Sequence, residues 1–264
     1  MRGPAGLLDG LFDDQPAVGG GLESVVAGHR DTGYGSLVRS LLLPERALSA
    51  TARLAAPTEA ELDVTVLVEG GAGSLVALGR RRLPGLRLVG AVIPLRDLDD
   101  LAGNAARVAI AAEELDEVIV QVGLPLAPGW VRAVEVVEAA GLFAALTAAG
   151  PPADDARTAA ALAEQLSVLI EADLPFSVRW PGAGTAPGLD AAALLVAVQA
   201  LVDGAGTADA AHLLARRDPD HLRAAVTAWD EVTSARVRRR LLALAATDLT
   251  ATVSGLVQLG VVRY

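Results

Sequence analysis

The chain has 264 residues and a formal net charge of −10, with 22 basic side chains, 32 acidic ones, three histidines and no cysteine. Every basic side chain is an arginine, because the sequence contains no lysine. These absences exclude PLP attachment and Schiff-base chemistry, which need a lysine amine, and also thiolate nucleophiles, disulfides and Cys-ligated metal centres. We therefore expect no cofactor and no tightly bound metal.

The acidic balance predicts that the chain binds neither nucleic acid nor an anionic membrane surface. Acidic residues at Asp9, Asp13 and Asp14 are not typical of a secretory signal. The longest apolar stretch, residues 191–202, is too short to span a bilayer. We therefore expect a cytoplasmic protein.

From the N-terminus onward, the patterns predict an irregular arm at residues 1–21 and then an alternation of strands and helices. A first helix is expected at residues 22–30. Strand patterns follow at residues 41–43, 63–68, 86–93, 117–122, 142–147, 176–180 and 241–246. Helical patterns lie at residues 45–54, 98–115, 130–140, 155–172, 191–201, 208–215, 219–239 and 249–259. Repeated strand–helix units predict a parallel sheet, because each right-handed crossover returns the chain in the same direction.

A parallel sheet of this kind is either an open doubly wound sheet or a closed barrel. An open sheet with helices on both faces needs strands that are apolar on both sides. Here Val64, Val66 and Val68 share one face of their strand, whereas Thr65 and Glu69 lie on the other. One aliphatic face and one mixed face favour a barrel with helices outside and a partly polar lumen.

We therefore predict an α/β fold in one domain, residues 1–264: an irregular, TIM-like (β/α) barrel with extra C-terminal helices. Only seven strands are identified, and residues 187–239 are interpreted as a helical insertion. Within it, residues 191–202 are apolar almost all round, although an outer helix needs only one apolar stripe. Either the following helices cover the second side, or a two-fold mate does. We expect a homodimer through the outer helices.

Candidate ligand-binding residues lie near the C-terminal ends of the strands, where barrels build their sites. Glu69, Gln121 and Arg179 are predicted to face the lumen there, and Arg96 follows the strand at 86–93. A carboxylate, an amide and a guanidinium together fit a small carboxylate or phosphate ester. The alternative is that Glu69 and Arg179 neutralise each other, because buried charges need partners.

The pair Asp13 and Asp14 is a further candidate, since the N-terminal arm that carries it can fold over the barrel mouth. Other polar groups have a structural interpretation. Asp100, Asp155 and Asp218 precede helices and are predicted to cap them. Arg238–240 is interpreted as a solvated run at a helix end. His29, near the end of the first helix, is the one histidine that we consider for acid–base chemistry.

Five segments of the chain resemble an uncharacterised, mostly actinobacterial family of barrel-like proteins. They read LLDGLFDD, AGHR…YGSLV, AGLFAALTAAG, DLPFSVRWPGAG and ATDLTATVSGLVQLGVV. The resemblance implies a barrel with a Lys and an Arg on the strand at 142–147, a Lys on the next strand and a His-rich turn after it. The matching places here are Ala145, Thr147, Ser177 and a turn at 181–185 without His. The resemblance therefore implies a divergent, non-catalytic member, and it transfers a fold rather than an activity.

Two functions from different classes follow. The first is a small-anion-binding or non-catalytic partner protein. The alternative is a cofactor-independent lyase or isomerase that acts on a small carboxylate or phosphorylated substrate at the C-terminal barrel mouth. A carboxylate or histidine within hydrogen-bond reach of the bound anion would favour the enzyme.

Overall fold

Eight parallel strands close into a barrel in chain order in the computed structural model, which confirms the predicted fold. The structure describes residues 6–16, 21–56, 60–152, 155–180 and 186–262. The strands are β1 (Phe12–Asp14), β2 (Val38–Pro44), β3 (Leu62–Leu67), β4 (Leu86–Pro94), β5 (Ile119–Gly123), β6 (Phe143–Thr147), β7 (Phe176–Arg179) and β8 (Leu241–Ala246).

Helices follow every strand. They are α1 (Leu22–Arg30), α2 (Leu48–Ala55), α3 (Ala72–Gly79), α4 (Leu101–Ala112), α5 (Trp130–Ala139), α6 (Ala156–Glu171), α7 (Pro187–Val202), α8 (Thr207–Leu214), α9 (Pro219–Thr227), α10 (Glu231–Arg240) and α11 (Leu249–Gln258). A 3-10 turn at Glu45–Ala47 leads into α2. Helices α8 to α10 are additional to the βα repeat and lie between α7 and β8, which confirms extra C-terminal helices. The predicted insertion at residues 187–239 is too long, because α7 is the regular helix that follows β7.

Helix boundaries in the C-terminal half follow from capping carboxylates. The single helix predicted at residues 219–239 is two helices, because the Asp230 side chain accepts a hydrogen bond from the Thr233 amide at 2.8 Å and starts α10. Asp100, Asp155 and Asp218 cap α4, α6 and α9 in the same way, as predicted.

The eighth strand lies inside the segment that the sequence predicted as an irregular arm. Residues 12–14 form β1, which pairs with β2 on one side and β8 on the other and so closes the barrel. The arm prediction is wrong here because β1 has three residues and two of them are acidic, a composition without the apolar alternation that identifies the other strands.

The outer face of the barrel is apolar and packs against the helices. Outward residues of the strands belong to one buried cluster with the helices, including Leu41, Val64, Val66, Ile93, Val122, Leu146, Val178 and Leu244. The opposite face of each strand points into the lumen. The alternation that predicted the barrel is therefore present in the structure.

Helix α7 is covered within the chain. It packs against α8, α9, α10 and α11, and both Leu195 and Val198 are 0% exposed. The apolar side that suggested a subunit contact is therefore internal core, and α7 is not the dimer face. The homodimer stays a prediction that this helix no longer supports.

Helices α7 and α11 approach each other through two glycines. A Cβ atom on Gly188 would lie 2.6 Å from the Cα of Gly255, and one on Gly255 would lie 2.9 Å from the Cα of Gly188. Both distances are far below van der Waals contact and involve backbone atoms that cannot turn aside. The crossing thus requires glycine at both positions.

We predict that Gly188→Ala and Gly255→Ala each lower the free energy of unfolding by about 1–3 kcal/mol, because the added methyl group forces the helices apart. Thermal unfolding measures the loss. The matched control is Gly28→Ala in α1, where a Cβ would have no neighbour within 4 Å and should stabilise the helix by up to about 1 kcal/mol. Equal effects at all three positions would contradict the close crossing.

We also predict that Leu195→Asp unfolds the chain, because it buries a carboxylate without a partner and should cost more than about 4 kcal/mol. Val232→Asp, at a position that is 67% exposed on α10, is the control and should change stability by less than about 0.5 kcal/mol. Circular dichroism and sedimentation are read together. A folded Leu195→Asp variant that only halves its mass would instead place α7 at a subunit contact.

Candidate functional site

One layer of the barrel lumen is made of polar side chains from the four odd-numbered strands. They are Asp13 of β1, Thr65 of β3, Gln121 of β5 and Ser177 of β7, with exposures of 3%, 0%, 0% and 9%. The paired residues can be followed from strand to strand around the barrel, with a step of two residues along each even-numbered strand. This path leads from Asp13 through the other three residues and back to Asp13. The four side chains therefore lie at one height, as layers of alternate strands do in such barrels. We name them the polar layer.

An ion pair between Asp13 and Arg39 anchors the polar layer. Arg39 donates to both carboxylate oxygens of Asp13, from Nε at 2.9 Å and from Nη2 at 2.7 Å. Ser40 Oγ donates to Asp13 Oδ1 at 2.7 Å, and Arg39 Nη2 also donates to Thr65 Oγ1 at 3.2 Å. The β1–β2 register shifts at this point, which makes Arg39 the extra residue of a β-bulge. The bulge lets two consecutive residues of β2 reach the same carboxylate.

Small residues give the rest of the polar layer its space. Ser177 Oγ donates to Gln121 Oε1 past Ala145, which is the inward residue of the intervening strand β6. Gly90 lies beside Thr65, where a Cβ atom would stand only 2.7 Å from Thr65 Oγ1. A larger side chain at either small position would occupy the space that these polar contacts use.

An apolar layer lies directly above the polar layer, toward the C-terminal ends of the strands. By the same register it consists of Leu42, Val92, Ala145 and Ala245, which are all buried. These four residues separate the polar layer from the barrel mouth. Asp13 and Gln121 are therefore inside the barrel, where a ligand at the mouth does not reach them.

Arg238 closes the opposite end of the lumen. Its Nη1 donates to the carbonyls of Leu241 at 2.7 Å and Leu242 at 3.1 Å, and its Nη2 donates to the carbonyl of Asp9 at 3.3 Å. Burial lowers the pKa of Arg238 below its usual value, and the charge of Arg39 lowers it further. The prediction of a solvated arginine run is wrong for this residue, because strand carbonyls solvate its guanidinium instead of water.

The barrel mouth begins above the apolar layer. The next inward residues of the odd strands are Gln15, Leu67, Gly123 and Arg179, and we name them the mouth layer. Gln15 continues the pairing of β1, since its amide donates to the Ala246 carbonyl at 2.8 Å. Above the mouth layer, the even strands and the residue after β8 contribute Pro44, Pro94, Thr147 and Thr247.

Arg179 is the charged member of the mouth layer. Its Nε donates to Thr147 Oγ1 at 3.0 Å, and Thr147 is exposed to solvent. Burial lowers the pKa of Arg179 below its usual value. Within the described residues no carboxylate pairs with this guanidinium. Its two terminal nitrogens make no hydrogen bond with the residues that the structure describes.

Gln15 brings an unused acceptor to the same layer. Its Oε1 atom is buried and accepts no hydrogen bond from the residues that the structure describes. Buried polar atoms nearly always have a partner, so an isolated acceptor needs an explanation. No pattern in the sequence indicates Gln15 as a site residue, because β1 does not show the pattern of a strand.

Glu69 lies at the rim and pairs with Arg46, not with Arg179. Its backbone amide donates to Glu45 Oε2 at 3.2 Å, and Glu45 in turn accepts from Arg81 at 3.2 Å. These residues line an open cleft of about 520 Å³ between the segment after β2 and the loop after α3. The predicted mutual neutralisation of Glu69 and Arg179 is wrong, because the start of the neighbouring helical segment supplies a nearer cation.

Besides Gln121, which lies in the polar layer, three predicted residues lie apart from the mouth. Arg96 is exposed, and its backbone amide donates to Asn104 Oδ1 at 3.0 Å. Asp14 faces outward from β1 and contacts His29, with Oδ2 2.8 Å from Nδ1. Asp13 faces the sealed lumen. Residues 12–14 of the expected arm are therefore a strand of the barrel, which places the two acids on opposite faces. The turn at 181–185 lies outside the described residues.

Comparison with protein-family models, with curated proteins and with solved structures finds no match. The resemblance to a barrel family stays a prediction. In the described part of the chain, no three His, Asp or Glu side chains gather as metal ligands do, and no helix is long and apolar enough to cross a membrane.

We predict that Asp13→Asn lowers the free energy of unfolding by about 3–5 kcal/mol, because it leaves the Arg39 charge buried without its counter-ion. Asp63→Asn is a matched control. Arg87 donates to both oxygens of Asp63, at 2.6 and 2.5 Å, in the same Nε and Nη2 geometry but with more than half of the arginine side chain exposed. The control should cost less than about 1 kcal/mol. Urea unfolding measures the free energy of unfolding of both variants. Similar losses of stability in the two variants would contradict the burial of the Asp13–Arg39 pair.

Proposed function

We propose that the chain is a small-anion-binding protein whose site is the C-terminal mouth of the barrel. The observation that carries the proposal is Arg179, an inward guanidinium with a lowered pKa and no ion pair among the described residues. A partly desolvated charge without a counter-ion is costly. A bound anion relieves that cost by replacing lost water with charge-assisted hydrogen bonds.

Binding is favoured over catalysis by the composition of the mouth. A lyase or isomerase needs a carboxylate, histidine or similar group that moves a proton within hydrogen-bond reach of its substrate. The described inward positions around Arg179 hold amide, hydroxyl, proline, leucine and glycine side chains. Asp13 is neutralised by Arg39 under the apolar layer, and Glu69 is paired with Arg46. The carboxylates nearest to the strand ends are thus engaged elsewhere.

The test is a thermal-shift titration with acetate and with inorganic phosphate at constant ionic strength. A ligand that binds only the native state stabilises it by about 2.7 kcal/mol at roughly 100 times its Kd. We predict a saturable rise in the unfolding midpoint that Arg179→Gln abolishes. Arg132→Gln removes the same charge from an exposed position on α5 and should leave the rise unchanged. No saturable rise with either anion, or equal rises in both variants, would refute the site.

A further inference from the structure

The mouth offers one positive charge to its ligand. Arg179 is the charged residue among the eight described inward positions that make up the mouth layer and the ring above it. A phosphate ester carries close to two negative charges at neutral pH and is usually met by several donors or cations. A monocarboxylate matches one guanidinium in both charge and planar geometry. The charge therefore favours a carboxylate over a phosphate.

The floor and the far wall of the mouth are apolar. Beneath the mouth lies the apolar layer, and the walls on the far side from Arg179 include Leu67, Pro44 and Pro94. A ligand whose carboxylate meets Arg179 thus has its remaining atoms against hydrocarbon. Burial of each methylene group favours binding by about fourfold, so a short alkyl chain fits this floor better than a polar body does.

Gln15 and Arg179 are neighbours in the mouth layer. Gln15 directly follows β1 and Arg179 ends β7, with only β8 between these strands, so their Cα atoms are about 10 Å apart at the usual strand spacing. Both residues are at inward positions, and their side chains together are longer than this spacing, so one small ligand can contact both. A donor on the carbon next to the carboxylate can therefore supply the partner that Gln15 Oε1 lacks among the described residues.

We propose that the ligand is a short-chain 2-hydroxy monocarboxylate, an inference that rests on the proposed function and specifies its ligand class. The carboxylate binds Arg179 and receives the Thr147 hydroxyl hydrogen, the 2-hydroxyl donates to Gln15 Oε1, and the alkyl chain lies on the apolar layer. A 2-amino acid fits less well. Its ammonium needs up to three acceptors and would stand close to the Arg179 charge.

Isothermal titration of the full chain with lactate, propionate, alanine and inorganic phosphate at fixed ionic strength tests the class. Lactate and propionate differ only in the 2-hydroxyl, so lactate should bind about fivefold more tightly, the value of one added hydrogen bond. Lengthening lactate to 2-hydroxybutyrate should add about a further fourfold. Alanine and phosphate should bind more weakly than lactate.

Gln15→Met is the decisive variant, because it keeps the length of the side chain and removes the acceptor. This variant should bind lactate and propionate with about equal affinity, while its affinity for propionate stays that of the unmodified chain. A ratio within one variant is insensitive to any general loss of fold. Arg132→Gln should preserve the ratio of the unmodified chain.

Equal affinity for lactate and propionate in the unmodified chain would overturn the inference, as would a Gln15→Met variant that weakens both acids alike. Phosphate binding more tightly than lactate, with loss in Arg179→Gln, would overturn the ligand class and leave the proposed function standing. Failure of all four compounds to bind would refute both.

Discussion

The closure of this barrel depends on the buried ion pair between Asp13 and Arg39. Strand β1 has three residues, so its ladders to β2 and β8 contain few hydrogen bonds. A buried carboxylate is costly unless it is fully paired, and here it accepts two bonds from Arg39 and one from Ser40. On the other face of β1, Asp14 contacts His29 of α1. Side chains on both faces thus attach the shortest strand to its neighbours.

The same pair also bears on which side chains a ligand can reach. Because Asp13 and Arg39 neutralise each other, the polar layer carries no net charge, and the apolar layer lies above it. Arg238 closes the lumen from the other end. The groups that remain open to a ligand are those above the apolar layer, where Arg179, Thr147 and Gln15 lie. Among the described inward positions of the mouth, Arg179 carries the one charge, and the proposed anion site rests on it.

The fold was predictable where a strand shows two different faces. Short apolar runs identified seven strands, and the alternation of aliphatic with polar or small residues in several of them distinguished a barrel from an open sheet. Strand β1 was not predicted because the side chains that stabilise it lie on β2 and α1. The residues of Phe12–Asp14 alone do not show these partners. Helix α7 was recognised as apolar all round, yet only the structure shows that α8 to α11 surround it.

The position of the candidate site was predictable from the sequence, but the ion-pair and hydrogen-bond partners of its residues were not. Arg179 was expected at the mouth from its place at a strand end, and it lies there. Glu69 was expected opposite it, but the choice between Arg46 and Arg179 depends on three-dimensional proximity that strand order alone does not give. Gln121 points inward as expected, but its height in the lumen follows from the shear of the barrel. The buried position of Arg238 was not predicted, because its partners are backbone carbonyls at the closed end of the barrel.

The contribution of this ion pair to barrel closure is tested most directly by a double-mutant cycle between Asp13 and Arg39, with Asp13→Asn, Arg39→Gln and the double variant compared by urea unfolding. For a buried, doubly hydrogen-bonded pair we predict a coupling free energy of about 2–3 kcal/mol between the two positions, so that the double variant is more stable than the sum of the single losses implies. A coupling below about 0.5 kcal/mol, the value of an exposed ion pair, would contradict the claim that this contact closes the barrel.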